Sequence, residues 1–214
     1  MLDYGWCTPT CTGLNYFKDN RTQLCTYTCS AADTTLGLPG TFGDQTTDQC
    51  VAQCPSGWYA QSEINRTCVV KCQDGTWGNQ VTRVCISNPV TQCPSGTWAD
   101  SFVNLCVSFC TVNPSNSQVF YGENITKKCV AACPVPSFAY QVTRVCIDIC
   151  PFTIATSPGL FGDPSTLPTR LCVPVCLTAG LYRDVAKNRT CQPTCTFNST
   201  YKTYQDPTTM TCLA

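Results

Sequence analysis

The stretch Cys50-Val51-Ala52-Gln53-Cys54-Pro55-Ser56-Gly57-Trp58-Tyr59-Ala60, running on to Asn65-Arg66-Thr67-Cys68, contains the repeating pattern of the chain. Two cysteines stand three residues apart. A glycine then introduces aromatic residues, and a polar stretch ends in a basic residue two places before the next cysteine. Such couples recur as Cys7/Cys11, Cys25/Cys29, Cys50/Cys54, Cys68/Cys72, Cys106/Cys110, Cys129/Cys133, Cys146/Cys150, Cys172/Cys176 and Cys191/Cys195. One couple, Cys85/Cys93, is stretched by an insertion that begins Ile86-Ser87-Asn88-Pro89-Val90. Self-similarity at a short fixed period marks a repeat architecture, so it is read before any secondary structure.

Two kinds of segment alternate. One carries its aromatic just after a glycine, as in Gly57-Trp58-Tyr59, Gly96-Thr97-Trp98 and Gly180-Leu181-Tyr182. The other carries what reads as an aromatic-glycine turn closed by an acid or amide: Phe42-Gly43-Asp44, Trp77-Gly78-Asn79, Tyr121-Gly122-Glu123 and Phe161-Gly162-Asp163. The full repeat is thus a pair of segments, stepping from Cys7 to Cys50, Cys85, Cys129, Cys172 and Cys212.

Each segment reads as a short β-hairpin, because Gly, Asp, Asn and Pro supply turn dihedrals while Thr, Val and aromatics favour extended chain. A lone hairpin is marginal in water. A disulfide across its ends would hold it, since closing a loop of roughly 15 residues is worth about 3 kcal/mol in the chain-entropy model. That favours a ladder: Cys11 to Cys25, Cys29 to Cys50, Cys54 to Cys68, Cys72 to Cys85, Cys93 to Cys106, Cys110 to Cys129, Cys133 to Cys146, Cys150 to Cys172, Cys176 to Cys191 and Cys195 to Cys212. Cys7 is left over. A competing scheme crosses cysteines one-to-three and two-to-four, joining Cys7 to Cys25 and Cys11 to Cys29 and leaving Cys212 unpaired. Spacing alone leaves both open.

The expected fold class is small and disulfide-rich: an elongated tandem array of short disulfide-closed β-hairpin modules with no single core and little or no helix. An N-terminal segment, residues 1–10, carries the odd Cys7. Over residues 11–214 follow ten one-disulfide modules: 11–25, 29–50, 54–68, 72–85, 93–106, 110–129, 133–146, 150–172, 176–191 and 195–212. With 21 cysteines in 214 residues, the chain has the composition of a secreted or cell-surface protein matured in an oxidising compartment. Lysine plus arginine balance aspartate plus glutamate at 13 each, which leaves no electrostatic case for nucleic acid or an anionic membrane. No window reaches the roughly 20 apolar residues of a membrane helix, so no direct membrane insertion is expected. The N-terminal Met1-Leu2-Asp3-Tyr4-Gly5-Trp6-Cys7 lacks a signal peptide's pattern and Thr211-Cys212-Leu213-Ala214 is no lipid-anchor signal, so the sequence is expected to be less than the whole precursor.

The Cys-x-x-x-Cys-Pro couples followed by an aromatic, as in Cys50 to Pro55 and Cys129-Val130-Ala131-Ala132-Cys133-Pro134, resemble furin-like repeats. Similar one-disulfide modules occur in growth-factor-receptor cysteine-rich regions, and long arrays of them in surface proteins of ciliates and other protists. The resemblance covers nearly the whole chain from Cys7 to Cys212 and implies the ladder pairing. The pattern departs from it at Cys85/Cys93 and where the proline is missing, as in Cys176-Leu177 and Cys11-Thr12.

Every segment carries an aromatic: Tyr16 or Phe17, Phe42, Trp58 or Tyr59, Trp77, Trp98, Phe120 or Tyr121, Phe138 or Tyr140, Phe161, Tyr182, and Tyr201 or Tyr204. Recurrence favours a structural role, each ring covering a disulfide or the neighbouring hairpin, over a sugar- or base-stacking platform. The basic residues Arg66, Arg83, Lys127, Arg144, Arg170 and Arg189 read equally as cations over a cross-strand aromatic or as solubilising edge residues. Phe-Gly-Asp offers one carboxylate where a calcium site needs several, so turn chemistry is the better reading. Neither a metal nor a cofactor is expected.

Five sequons are expected to carry N-glycans: those at Asn20, Asn65, Asn124, Asn188 and Asn198. The chain has no histidine, no phosphate-cradling glycine loop and cysteines committed to bridges, so no catalysis is expected. The expected function is an extracellular structural glycoprotein, a rod-like stalk, coat or fibre subunit. Its expected association is with itself head-to-tail, or with further repeats of a longer chain, because neither end of the array looks capped. The alternative is a ligand-binding or adhesion ectodomain of a cell-surface receptor, for which the Ile86 to Val90 insertion is the candidate patch.

Overall fold

The computed structural model describes residues 11, 13, 15–61, 66–152, 159–197, 200 and 202–213. Cys7, Tyr201 and the sequon asparagines Asn65 and Asn198 lie outside these residues. Two units, Met1–Val107 and Ser108–Ala214, are each built from five hairpins. The first unit holds β1 (Phe17–Asp19) with β2 (Leu24–Thr26), β3 (Phe42–Asp44) with β4 (Gln49–Val51), β5 (Tyr59–Ala60) with β6 (Cys68–Val69), β7 (Trp77–Asn79) with β8 (Val84–Ile86) and, after the single helical turn α1 (Pro89–Gln92), β9 (Trp98–Asp100) with β10 (Leu105–Val107). The second holds β11 (Tyr121–Glu123) with β12 (Lys128–Val130), β13 (Phe138–Tyr140) with β14 (Val145–Ile147), β15 (Phe161–Gly162) with β16 (Cys172–Val173), β17 (Tyr182–Asp184) with β18 (Thr190–Gln192) and β19 (Tyr204–Asp206) with β20 (Thr211–Leu213).

One register holds throughout. The residue that follows the aromatic pairs with the closing cysteine: Lys18 with Cys25, Gly43 with Cys50, Ala60 with Cys68, Gly78 with Cys85, Ala99 with Cys106, Gly122 with Cys129, Ala139 with Cys146, Gly162 with Cys172, Arg183 with Cys191 and Gln205 with Cys212. The aromatic-glycine pair that reads as a turn in the sequence therefore lies in a strand. The turn follows the acid and ends in a left-handed residue such as Arg83 (φ 56°), Asn104 (φ 54°) or Arg144 (φ 52°).

Ten disulfides join the described cysteines: Cys11–Cys25, Cys29–Cys50, Cys54–Cys68, Cys72–Cys85, Cys93–Cys106, Cys110–Cys129, Cys133–Cys146, Cys150–Cys172, Cys176–Cys191 and Cys195–Cys212. Each ties the second strand of one hairpin to the segment that precedes its first strand, with Cα atoms 5.5–5.8 Å apart, the span a disulfide prefers. The chain is a small, disulfide-rich tandem array of hairpins. A bridge of this kind is stable where thiols are oxidised, so the protein matures in an oxidising, secretory-type environment. No helix among the described residues is long and apolar enough to cross a membrane.

Successive hairpins join by parallel pairing of the first strand of one with the second strand of the next. In the first unit the partners are Lys18 with Gln49, Gly43 with Thr67, Ala60 with Val84 and Gly78 with Leu105. In the second they are Gly122 with Val145, Ala139 with Leu171, Gly162 with Thr190 and Arg183 with Thr211. Side chains alternate along a strand, and paired residues share a face. Gly43 and Cys50 thus share a face with Thr67, which puts Cys68 on the opposite one. Within each unit the bridges of consecutive hairpins thus lie on alternating faces of the paired strands. That is the physical reason the sequence repeat is a pair of segments: two hairpins are needed to return to the same face.

Candidate functional site

The feature repeated most consistently in the molecule is the junction between one hairpin and the next, and it has three parts. The first is a ring on a bridge. Phe17 packs with Cys29 and Cys50, Phe42 against Cys54 and Cys68, Tyr59 with Cys72 and Cys85, and Trp77 with Cys93 and Cys106. In the second unit Tyr121 packs with Cys133 and Cys146, Phe138 with Cys150 and Cys172, and Phe161 with Cys191 and Cys176. Each aromatic covers the disulfide of the following hairpin, and burying a ring is worth about 1.5–3 kcal/mol. The residue opposite the closing cysteine must leave room for that ring. A Cβ on Gly78 would stand 2.7 Å from the Tyr59 ring, and one on Gly162 would stand 2.5 Å from Phe138; Gly43 meets Phe17 in the same way. The rings Phe17, Tyr121, Phe138 and Phe161 are 1–4% exposed, which leaves no free face for stacking a sugar or base.

The second part is the acid or amide that ends or directly follows the first strand. Asp19, Asp44, Asn79, Asp100, Glu123, Asp163 and Asp184 are all buried. Buried carboxylates are stable only when hydrogen-bonded, and here backbone N–H groups serve. Asp184 accepts from Ala186 N at 2.9 Å and Lys187 N at 3.2 Å within its own turn. It also accepts from Thr196 N at 2.7 Å and Thr196 Oγ1 at 2.6 Å, just beyond the first cysteine of the next hairpin. Asp19 likewise accepts from Ser30 N and the Ser30 hydroxyl, and Asp163 from Leu177 N at 2.8 Å. Asn79 makes the same link with reversed polarity, donating Nδ2 to Gln92 O at 2.7 Å on α1. The stretched couple keeps the junction through that helical turn, which Asn88 caps by accepting from Val90 N at 3.1 Å.

Burial alone would push the Asp19 carboxyl up, but hydrogen bonds from Ser30, Arg21 and Thr22 outweigh it and hold the pKa below the ordinary carboxylate value. Glu123 is likewise pushed up by burial but brought below its ordinary value by Thr126, Ile125 and the charge of Lys127. With N–H and O–H donors occupying their oxygens, these acids are turn and junction anchors. The described residues contain no cluster of three or more His, Cys, Asp or Glu able to hold a metal ion.

The third part is the left-handed residue two before the closing cysteine. Its carbonyl accepts from the preceding hairpin: Gly43 N to Arg66 O at 2.7 Å, Ala60 N to Arg83 O at 2.7 Å, Gly122 N to Arg144 O at 2.8 Å, Ala139 N to Arg170 O at 2.8 Å and Gly162 N to Arg189 O at 2.8 Å. The guanidinium reaches back too. Arg66 lies 4.9 Å from the Phe42 ring centre, Arg170 4.6 Å from Phe138 and Arg189 4.7 Å from Phe161. These rings belong to the preceding hairpin, which corrects the cross-strand placement expected from sequence. Arg83 and Arg144 donate to the Cys54 and Cys110 carbonyls at 2.8 and 2.9 Å, and Arg144 also lies 5.2 Å from the Phe109 ring centre. A left-handed L-residue costs roughly 1–2 kcal/mol. Arginine there offsets the cost with contacts that glycine lacks.

Of the sequon asparagines, Asn20, Asn124 and Asn188 are exposed on hairpin loops. Asn20 and Asn124 directly follow a buried acid. An open cleft of about 520 Å³ lies beside the first of them, lined by Arg21, Thr22, Ser30, Asp33, Thr34 and Leu38. The acid-to-next-couple link and the backbone bond from the left-handed residue escape a reading of the sequence. Their only signal is positional: an acid or amide one residue past the position opposite the closing cysteine in every hairpin but that of Cys146, where Tyr140 stands.

Comparison of the chain with models of protein families, with curated proteins and with solved structures finds no match in any of the three.

Proposed function

We propose that this chain is an extracellular structural glycoprotein without catalytic activity, serving as a rod-like stalk, coat or fibre subunit on or outside the cell. The observation that carries the reading is that the side chains which recur with the repeat are spent on the junctions. Rings cover bridges, acids tie turns to the next couple, and arginines clasp the preceding hairpin. Repetition of one heterologous contact, first strand to next second strand, is the kind of association that extends without closing. It supports head-to-tail self-association or incorporation in a longer array. The furin-like resemblance of the couples fits a cell-surface setting, and the sequons fit a glycosylated one.

Negative-stain microscopy and sedimentation of the secreted, glycosylated chain test the proposal. Slender particles that lengthen with concentration support it. Compact particles that stay monomeric and retain a soluble ligand through purification contradict it.

A further inference from the structure

The Asn20 sequon stands beside the cleft, whose lining includes its own Arg21 and Thr22. Asn20 is exposed at the start of its loop, between two residues that are each fixed to the next hairpin. On one side Asp19 Oδ2 accepts from Ser30 N at 3.2 Å and from the Ser30 hydroxyl. On the other the Arg21 guanidinium donates to Ala31 O at 3.2 Å and to Pro39 O. The chain at Asn20 is therefore anchored against the wall of the cleft. The far wall is pre-formed: Asp33 and Leu38 exchange backbone hydrogen bonds of 2.9 Å each, and Asp33 Oδ1 accepts from Thr35 N at 2.9 Å and Thr35 Oγ1 at 2.6 Å.

We propose that this cleft holds the first sugars of an N-glycan attached to Asn20 of the same chain. The inference rests on the glycoprotein reading above. The volume, about 520 Å³, is in the range of pockets that enclose small ligands. The lining suits N-acetylglucosamine, which presents hydroxyls, an amide N–H, a carbonyl and a methyl. Thr22, Ser30 and Thr34 offer hydroxyls, Asp33 a carboxylate, Arg21 a guanidinium, and Leu38 a half-exposed apolar face. The sugar is covalently tethered, so its effective concentration is high and modest contacts suffice to dock it. Asn124 provides the contrast. It is exposed too, but among the described residues Glu123 accepts from its own loop, from Ile125 N at 2.6 Å, Thr126 N at 2.7 Å and Thr126 Oγ1 at 2.6 Å.

The test uses the full chain secreted from a eukaryotic host, with site occupancy read by glycopeptide mass spectrometry and release by an endoglycosidase followed on the folded protein. The Asn20 glycan should be released about tenfold more slowly than that on Asn124, as for a sugar undocked roughly one-tenth of the time. Denaturation should equalise the rates. Leu38→Ser and Thr34→Ala should each accelerate release at Asn20 and leave Asn124 unchanged. An occupied Asn20 that releases at the Asn124 rate overturns the inference, as does an empty Asn20 beside an occupied Asn124. Absence of glycan from every sequon overturns the glycoprotein reading along with it.

Discussion

The hairpins closed by Cys133–Cys146 and Cys176–Cys191 share a register and a bridge but little else. The first reads Phe138-Ala139-Tyr140 where the second reads Tyr182-Arg183-Asp184. Tyr140 stands where Asp184 gathers two turn N–H groups together with the N–H and hydroxyl of Thr196. Ala139 leaves space for the Tyr121 ring; Arg183 fills the equivalent space and lies 5.9 Å from the Phe161 ring centre. The bridge and the register are thus invariant. The acid and the small residue opposite the cysteine are additions that a given hairpin can replace.

The largest break in this comparison comes from the bridges. Replacing both cysteines of a pair by alanine should destabilise either hairpin by about 3 kcal/mol. Hydrogen exchange should show the 133–146 hairpin opening further, because no carboxylate holds its turn. The residue opposite the cysteine comes next: Gly162→Val should cost about 2–3 kcal/mol by driving a side chain into Phe138, whereas Arg183→Val should cost under about 1 kcal/mol, as thermal melts would register. Asp184→Ala leaves several buried N–H groups unmet and should cost about 2 kcal/mol. Tyr140→Ala leaves no such group unmet but removes a ring packed against Phe138, Cys150 and Cys172, so hydrogen exchange should show a smaller loosening of the following hairpin.

A pH series sharpens the role of the acids. The folded pKa values of Asp19 and Glu123 lie below their ordinary ones, so their stabilisation is complete above the unfolded carboxyl pKa and is lost as pH falls through the lower folded value. The melting temperature should therefore decline below about pH 4, and Asp19→Asn with Glu123→Gln should flatten that decline. Arg170→Met should have the smallest effect, about 0.5–1 kcal/mol, through its lost contact with Phe138.

The cysteine spacing and the Gly-aromatic punctuation make the hairpin array legible in the sequence, because both are local. What stays hidden is the contact between hairpins. Phe42-Gly43-Asp44 looks like a turn when read alone. Only the strand register shows that glycine lies opposite Cys50 and beneath the Phe17 ring. The partner of Arg66 is misplaced for the same reason: its ring, Phe42, belongs to the preceding hairpin, 24 residues back in a chain whose hairpins close over 13 to 22. The link from Asp163 to Leu177 joins backbone to side chain and leaves no mark on the residue type at 177.

Disulfide mapping of the unreduced protein by mass spectrometry, with fragmentation able to cut between the cysteines of a couple, tests the central claim most directly. Bridges are expected only between sequential partners, such as Cys133 with Cys146 and Cys150 with Cys172. Bridges that skip a cysteine, such as Cys11 with Cys29, would contradict it.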